Sequence, residues 1–173
     1  MSGVVFTNIM RFIFLLLVQI LILKQISFGL GWPIYLNIML YPLFIMLLPF
    51  RIHLVALLPL AFLMGLSVDM FYDSPGVHAS ASVFIAFFRP LILSQISPRD
   101  GYNLSHSPTK KRMGTRWFLT YSSIMMLVHL FIYFSVDAFT FVYIGQILWR
   151  TATSFVFSML FVIIVMFTFN PLD

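Results

Sequence analysis

Residues 54–96 read LVALLPLAFLMGLSVDMFYDSPGVHASASVFIAFFRPLILSQI, and this stretch decides the fold. It holds two long apolar runs, 54–71 and 76–96, and a transmembrane helix needs about 20 mainly apolar residues. Between them stand Tyr72-Asp73-Ser74-Pro75, whose Asp, Ser and Pro favour a tight turn. So short a link makes the two segments antiparallel neighbours. A lipid-embedded barrel would instead alternate apolar and polar residues in segments of about ten. Within hydrocarbon only helices and closed barrels satisfy the backbone. The stretch therefore predicts a transmembrane helical hairpin.

The pattern extends in both directions. Upstream lie apolar runs at 34–50, opened by Gly31-Trp32-Pro33 and kinkable at Pro42, and at 4–23, which carries Asn8, Arg11 and Gln19. Downstream lie 117–136 and 141–167. The expectation is an all-α integral membrane protein, one transmembrane domain over 1–173 built as a six-helix bundle. Arg11 followed by the apolar run 12–23 has the outline of a secretory signal. No small-x-small cleavage site follows it, so it is read as an uncleaved first helix.

Composition agrees. The 173 residues are 61% hydrophobic and 9% charged, whereas soluble domains are about a quarter charged. With no cysteine there is neither a disulfide framework nor a thiolate metal site. The net charge of +5 does not point to nucleic acid, because most charges sit near span ends and in one loop, 97–116. With a cytoplasmic N-terminus, Arg11, Arg51, Arg99, Lys110, Lys111, Arg112 and Arg116 fall inside and Lys24 alone falls outside. That bias sets the orientation and predicts both termini and the 97–116 loop on the cytoplasmic side. A basic loop there fixes topology and attracts anionic lipid.

Charged and polar groups within spans are the candidate functional residues, because each is costly in lipid unless paired or hydrated. They are Asp69, Arg89, His129, Gln146 and Arg150. Asp69 stands near the outer end of its span, with Gly65 one turn before and Asp73 one turn after. It either rests among headgroups, or caps a turn or pairs with a cation. Arg89 is placed to snorkel, and Tyr143, Gln146 and Arg150 are expected to form an inward polar stripe. Gly76, Ala79, Ser80, Ser82 and Ala86 are small residues that allow close helix approach, most simply against the preceding span.

Enzymatic readings find little support. Gly65-Leu66-Ser67, with His129 on another span, resembles part of a rhomboid-type serine–histidine dyad, but Ser67 and His129 stand at different depths and Val68 replaces the glycine expected after the serine. There is no phosphate-binding loop and no His-Glu-x-x-His zinc motif. With five aspartates and no glutamate, and Asp69 alone near the interior, acid–base chemistry has little to work with. No cofactor and no metal site are expected.

The run Pro59-Leu60-Ala61-Phe62-Leu63-Met64-Gly65-Leu66-Ser67-Val68-Asp69, followed by Gly76-Val77-His78-Ala79, resembles the signature region of the MreD family of rod-shape membrane proteins. That signature is a Gly-Leu-x-x-Asp helix end, a short turn, and a Gly-x-His-Ala-like helix start. Ala86-Phe87-Phe88-Arg89-Pro90 and Ile96-Ser97-Pro98-Arg99-Asp100-Gly101-Tyr102 are similar to the Bacteroidota branch. The resemblance implies a multi-pass, non-enzymatic scaffold in the bacterial cytoplasmic (inner) membrane, serving the cell-elongation (rod) complex and lateral peptidoglycan synthesis. MreC is its expected direct partner. MreB, a RodA-type SEDS glycosyltransferase and a class B penicillin-binding protein belong to the same complex. It further implies a fold similar to the substrate-binding subunit of energy-coupling-factor transporters. Gly65, Asp69, Gly76, Ala79, Arg89, His129 and Arg150 are the candidate structural or partner-binding residues. The alternative reading is a small-solute-binding subunit of a membrane transporter. Membrane lipid is a partner on either reading; nucleic acid is not, and homo-oligomerisation is left open.

Overall fold

The computed structural model describes residues 2–29, 36–99, 101–103 and 106–168. The described residues are mainly helical, and among them five helices are long and apolar enough to cross a membrane. The first is α1 (Ser2–Val18), which passes through a single π turn at Gln19–Leu23 into α2 (Lys24–Gly29). The others are α4 (Leu54–Tyr72), α5 (Val77–Gln95), α7 (Thr115–Ala138) and α8 (Ile144–Thr168). Two short helices, α3 (Pro42–Leu47) and α6 (Lys110–Met113), complete the set. The fold is a helical bundle whose five long apolar helices fit a multi-pass membrane protein.

The run 34–50 departs from the expected long helix. Residues 36–40 are non-helical, and only the six residues of α3 coil. Yet from Leu36 to Leu48 every residue but Asn37 is buried. Proline accounts for the break: Pro42 has no N–H to give to an upstream carbonyl and sits at the first turn of α3, its favoured helical position. The apolar composition therefore reports depth in the bundle rather than helix.

Irregular backbone survives at membrane depth only where protein groups satisfy it, and here they do so one by one. Gln19 Nε2 donates to the Ile38 carbonyl at 3.0 Å. Gln19 Oε1 accepts the N–H of Leu40 at 2.8 Å and of Tyr41 at 3.4 Å. From the other side Ser154 Oγ accepts the Asn37 N–H at 3.2 Å, and Ser158 Oγ accepts the Met39 N–H at 2.9 Å. Two hydroxyls one helical turn apart on α8 thus meet alternate N–H groups of an extended chain.

The segment runs back alongside α1. Residues 38–41 lie at the level of Gln19, and the Leu47 carbonyl lies at the level of Arg11, whose Nη1 donates to it at 3.4 Å and to Ser107 Oγ at 3.5 Å. The 97–116 loop therefore sits at the Arg11 end. The α4–α5 turn sits at the opposite end, where Tyr72 Oη meets Gln19 Nε2 at 2.7 Å. Lys110 Nζ lies 3.4 Å from the Phe167 ring centroid, which brings α8 back to the loop end. At that end Phe50 stacks on Tyr102, and Trp117 meets both rings edge-to-face. Tyr102 and Trp117 close the loop onto α5 by donating to the Leu93 and Ile96 carbonyls at 2.9 Å. Burial pushes the Tyr102 phenol above its ordinary pKa.

Candidate functional site: the Asp69 cap and the buried polar layer

The α4–α5 hairpin owes its shape to two backbone conformations and one carboxylate. Asp73 adopts φ 52° and ends α4, and Gly76 at φ 86° opens α5, a value that glycine alone adopts freely. The N–H groups of a helix start need acceptors. Asp69, a full turn back in the preceding helix, supplies them. Its Oδ2 accepts the N–H of Gly76 at 3.1 Å and of Ala79 at 2.9 Å. Its Oδ1 accepts the N–H of His78 at 2.9 Å, His78 Nδ1 at 2.9 Å and the Ser74 hydroxyl at 3.1 Å. Five donors converge on one buried carboxylate, and the positive end of α5 faces it.

Gly65 makes this cap reachable. A Cβ there would lie 2.5 Å from Ala79 Cα and 2.6 Å from the His78 carbonyl oxygen. Both are backbone atoms that cannot step aside, so the two helices touch at the glycine. The expected close approach of Gly65 and Ala79 is present, and Asp69 is the cap of a turn rather than the partner of an arginine. Asp73 is exposed and does not join Asp69. Among the described residues no cluster of three His, Cys, Asp or Glu could hold a metal ion.

Inward of the cap lies a polar layer. The His78 ring is fully buried, with the rings of Tyr133, Tyr72 and Tyr41 at 4.7, 5.0 and 5.7 Å. Tyr41 Oη lies 2.7 Å from His129 Nε2. A phenol keeps its proton, so it donates and His129 Nε2 accepts. His129 is therefore a buried side chain bonded across the bundle to the irregular segment. Ser67 Oγ donates instead to the Leu63 carbonyl of its own helix at 2.7 Å, so Ser67 and His129 do not meet.

The two arginines differ from expectation. Arg89 does not snorkel: it is 2% exposed and points inward, its Nε donating to Tyr121 Oη at 3.0 Å and its Nη2 to the Leu48 carbonyl. Tyr121 Oη donates in turn to the Met46 carbonyl at 3.3 Å. A cation beside the last carbonyls of α3 suits the negative end of that helix. Arg150 does not reach Asp69 and joins no buried stripe. It is paired with Asp137 at 3.6 Å, both half-exposed, while Tyr143 and Gln146 are exposed. The inward face of α8 is made of Ile147, Thr151, Ser154 and Ser158 instead.

Gln19, Tyr41, His78, Tyr121, Ser154 and Ser158 carry structural duties that sequence reasoning did not assign. Gln19 offered a signal, as an amide in the middle of an apolar run. The serines on α8 did not, because small hydroxyls are common in transmembrane helices. No protein-family model matches the chain, and no curated protein or solved structure shows significant similarity to it.

Proposed function

We propose that this chain is an MreD-type scaffold subunit of the bacterial cell-elongation complex. The observation that carries the reading is the mutual dependence of the motif residues. Gly65, Asp69, Gly76, His78 and Ala79 are separated in sequence, yet each is required by one close-packed, capped turn. A spacing with a structural reason is a more specific resemblance than a chance run of small and acidic residues. In this proposal the buried segment 36–50 serves as the second of six crossings. Both termini are cytoplasmic, and the capped turn faces the periplasm. The chain acts by holding partners, MreC first among them, and through MreC it joins MreB, the SEDS glycosyltransferase and the class B penicillin-binding protein.

The experiment is depletion of the chain in its host. The expected result is rounded, swollen cells with delocalised wall synthesis, rescued by the wild-type chain. Rods that persist after complete depletion would oppose the reading.

The break in segment 36–50 favours a second reading, because transporters build solute sites from discontinuous helices at mid-membrane. On that reading the fold is of the energy-coupling-factor substrate-binding type, and a small solute co-purifies in stoichiometric amount. The structural residues above fill the segment's own backbone valences, which favours the scaffold.

A further inference from the structure

At the loop end, the last residue of α5 and the first turn of α7 border a cleft of about 480 Å³, whose lining includes Ile96, Met113, Gly114, Thr115, Arg116 and Trp117. Trp117 Nε1 donates to the Ile96 carbonyl at 2.9 Å and holds the two helix ends together. Gly114, at φ 85°, turns the chain from α6 into α7 and lines the cleft without a side chain. Arg116 is exposed, and its guanidinium has no hydrogen bond or ion pair among the described residues.

The charge at this end is unbalanced. Lys111 and Arg112, on the one-turn helix α6 that leads into the cleft, are exposed as well. Every described carboxylate, on Asp69, Asp73 and Asp137, stands at the other end of the bundle. Two aromatic residues mark the depth. Tyr102 and Trp117 each pair an apolar ring with a polar tip that is spent on a backbone carbonyl, and such residues gather at headgroup level. A free cation beside the apolar Ile96, Met113 and Trp117 is matched by a molecule with an anionic head on an apolar body.

We propose that this cleft holds the headgroup of an anionic phospholipid, with the phosphate on Arg116 and the upper part of one acyl chain along Ile96 and Trp117. Basic pockets between the ends of spanning helices take such headgroups, and a guanidinium meets phosphate oxygens two at a time. This is more than the general attraction of a basic loop, because Arg51 is exposed at the same end but does not line the cleft. A groove of similar size on α4 and α5, lined by Phe62, Ala79, Ser80, Val83 and Phe87 among others, offers no charge and selects no headgroup. The site needs only that the long helices lie in a bilayer, whatever partners the chain has.

The test is fluorescence quenching of the full chain in phosphatidylcholine vesicles. Of the three tryptophans, Trp32 and Trp149 are replaced by phenylalanine, so that Trp117 is the reporter. A minor share of lipid brominated high on its acyl chains is added, either as phosphatidylglycerol or as phosphatidylcholine. The expected result is a roughly fivefold preference for quenching by phosphatidylglycerol, the effect of one basic side chain at a membrane surface. Arg116→Gln should abolish the preference and Arg51→Gln should leave it. Equal quenching by the two lipids in the chain with Arg116 intact would overturn the proposal without a charge variant being needed. Equal loss in Arg51→Gln and Arg116→Gln would overturn it too, because attraction would then be spread over the surface. Soluble glycerol phosphate should not relieve the quenching; relief would assign the cleft to a free phosphate and overturn the lipid.

Discussion

Asp69 and Ala79 are joined by a 2.9 Å hydrogen bond from the Ala79 N–H to Asp69 Oδ2, so that the carboxylate near the end of one helix caps the next. The cap makes a direct prediction. Asp69→Ala leaves three backbone N–H groups and the His78 ring without their acceptor. Loss of a helix cap costs about 1 kcal/mol, and each buried donor left unsatisfied costs about 1–3 kcal/mol. The variant is expected to lose at least about 3 kcal/mol, seen as a lower Tm in detergent. Asp69→Asn keeps one oxygen and should fall between the two. Melting of both variants at the wild-type temperature would show that the cap is dispensable.

The touching of Gly65 and Ala79 makes a second. Gly65→Ala adds only a methyl, but places it 2.5 Å from Ala79 Cα. Overpacking costs about 1–3 kcal/mol, and backbone that cannot yield puts this case at the upper end. Gly65→Leu and Ala79→Leu should disrupt the hairpin outright. Gly145→Ala is the control, since nothing lies within 4 Å of a Cβ there, and its Tm should match wild type. Equal stability of Gly65→Ala and Gly145→Ala would contradict the close approach.

The clamp on the irregular segment makes a third. Gln19 satisfies a carbonyl and two N–H groups of residues 38–41, whereas Ser158 satisfies the single N–H of Met39. Hydrogen–deuterium exchange should accelerate across 38–41 in Gln19→Leu and at Met39 alone in Ser158→Ala. Unchanged protection in Gln19→Leu would mean that the segment is held by packing instead.

These contacts also show what the sequence could and could not say. The hairpin was legible because two apolar runs flank a four-residue turn, and Gly65, Asp69 and Ala79 stood out by type. The run 34–50 reads as one span kinkable at Pro42, whereas 36–40 are non-helical and α3 begins at Pro42: an apolar run signals depth whatever its backbone does, and whether a proline kinks a helix or starts one depends on what satisfies the backbone before it. Arg89 and Arg150 were misplaced for a related reason. Both lie deep in apolar runs, but only tertiary packing decides which meets the carbonyl end of α3 and which meets Asp137. The pairing of Gln19 and the α8 serines with backbone groups 19 and 117 or more residues away leaves no local trace at all.

The topology gives a fourth prediction. Pro75 and Ser97 are both exposed, at opposite ends of α5. Single cysteines at these positions should react with an impermeant thiol reagent from opposite faces of the membrane, Pro75→Cys from the periplasm and Ser97→Cys from the cytoplasm. Ser107 is unsuitable as a reporter, because it is buried against Arg11. Labelling of both cysteines from one face would break the proposed orientation.

The scaffold reading is tested most directly by affinity purification of the tagged chain from native membranes in mild detergent, with everything that accompanies it quantified by mass spectrometry. The account predicts MreC in near-stoichiometric amount, reduced by Asp69→Ala at matched chain levels. Recovery of a transporter energising module with a bound small solute, and without MreC, would contradict it.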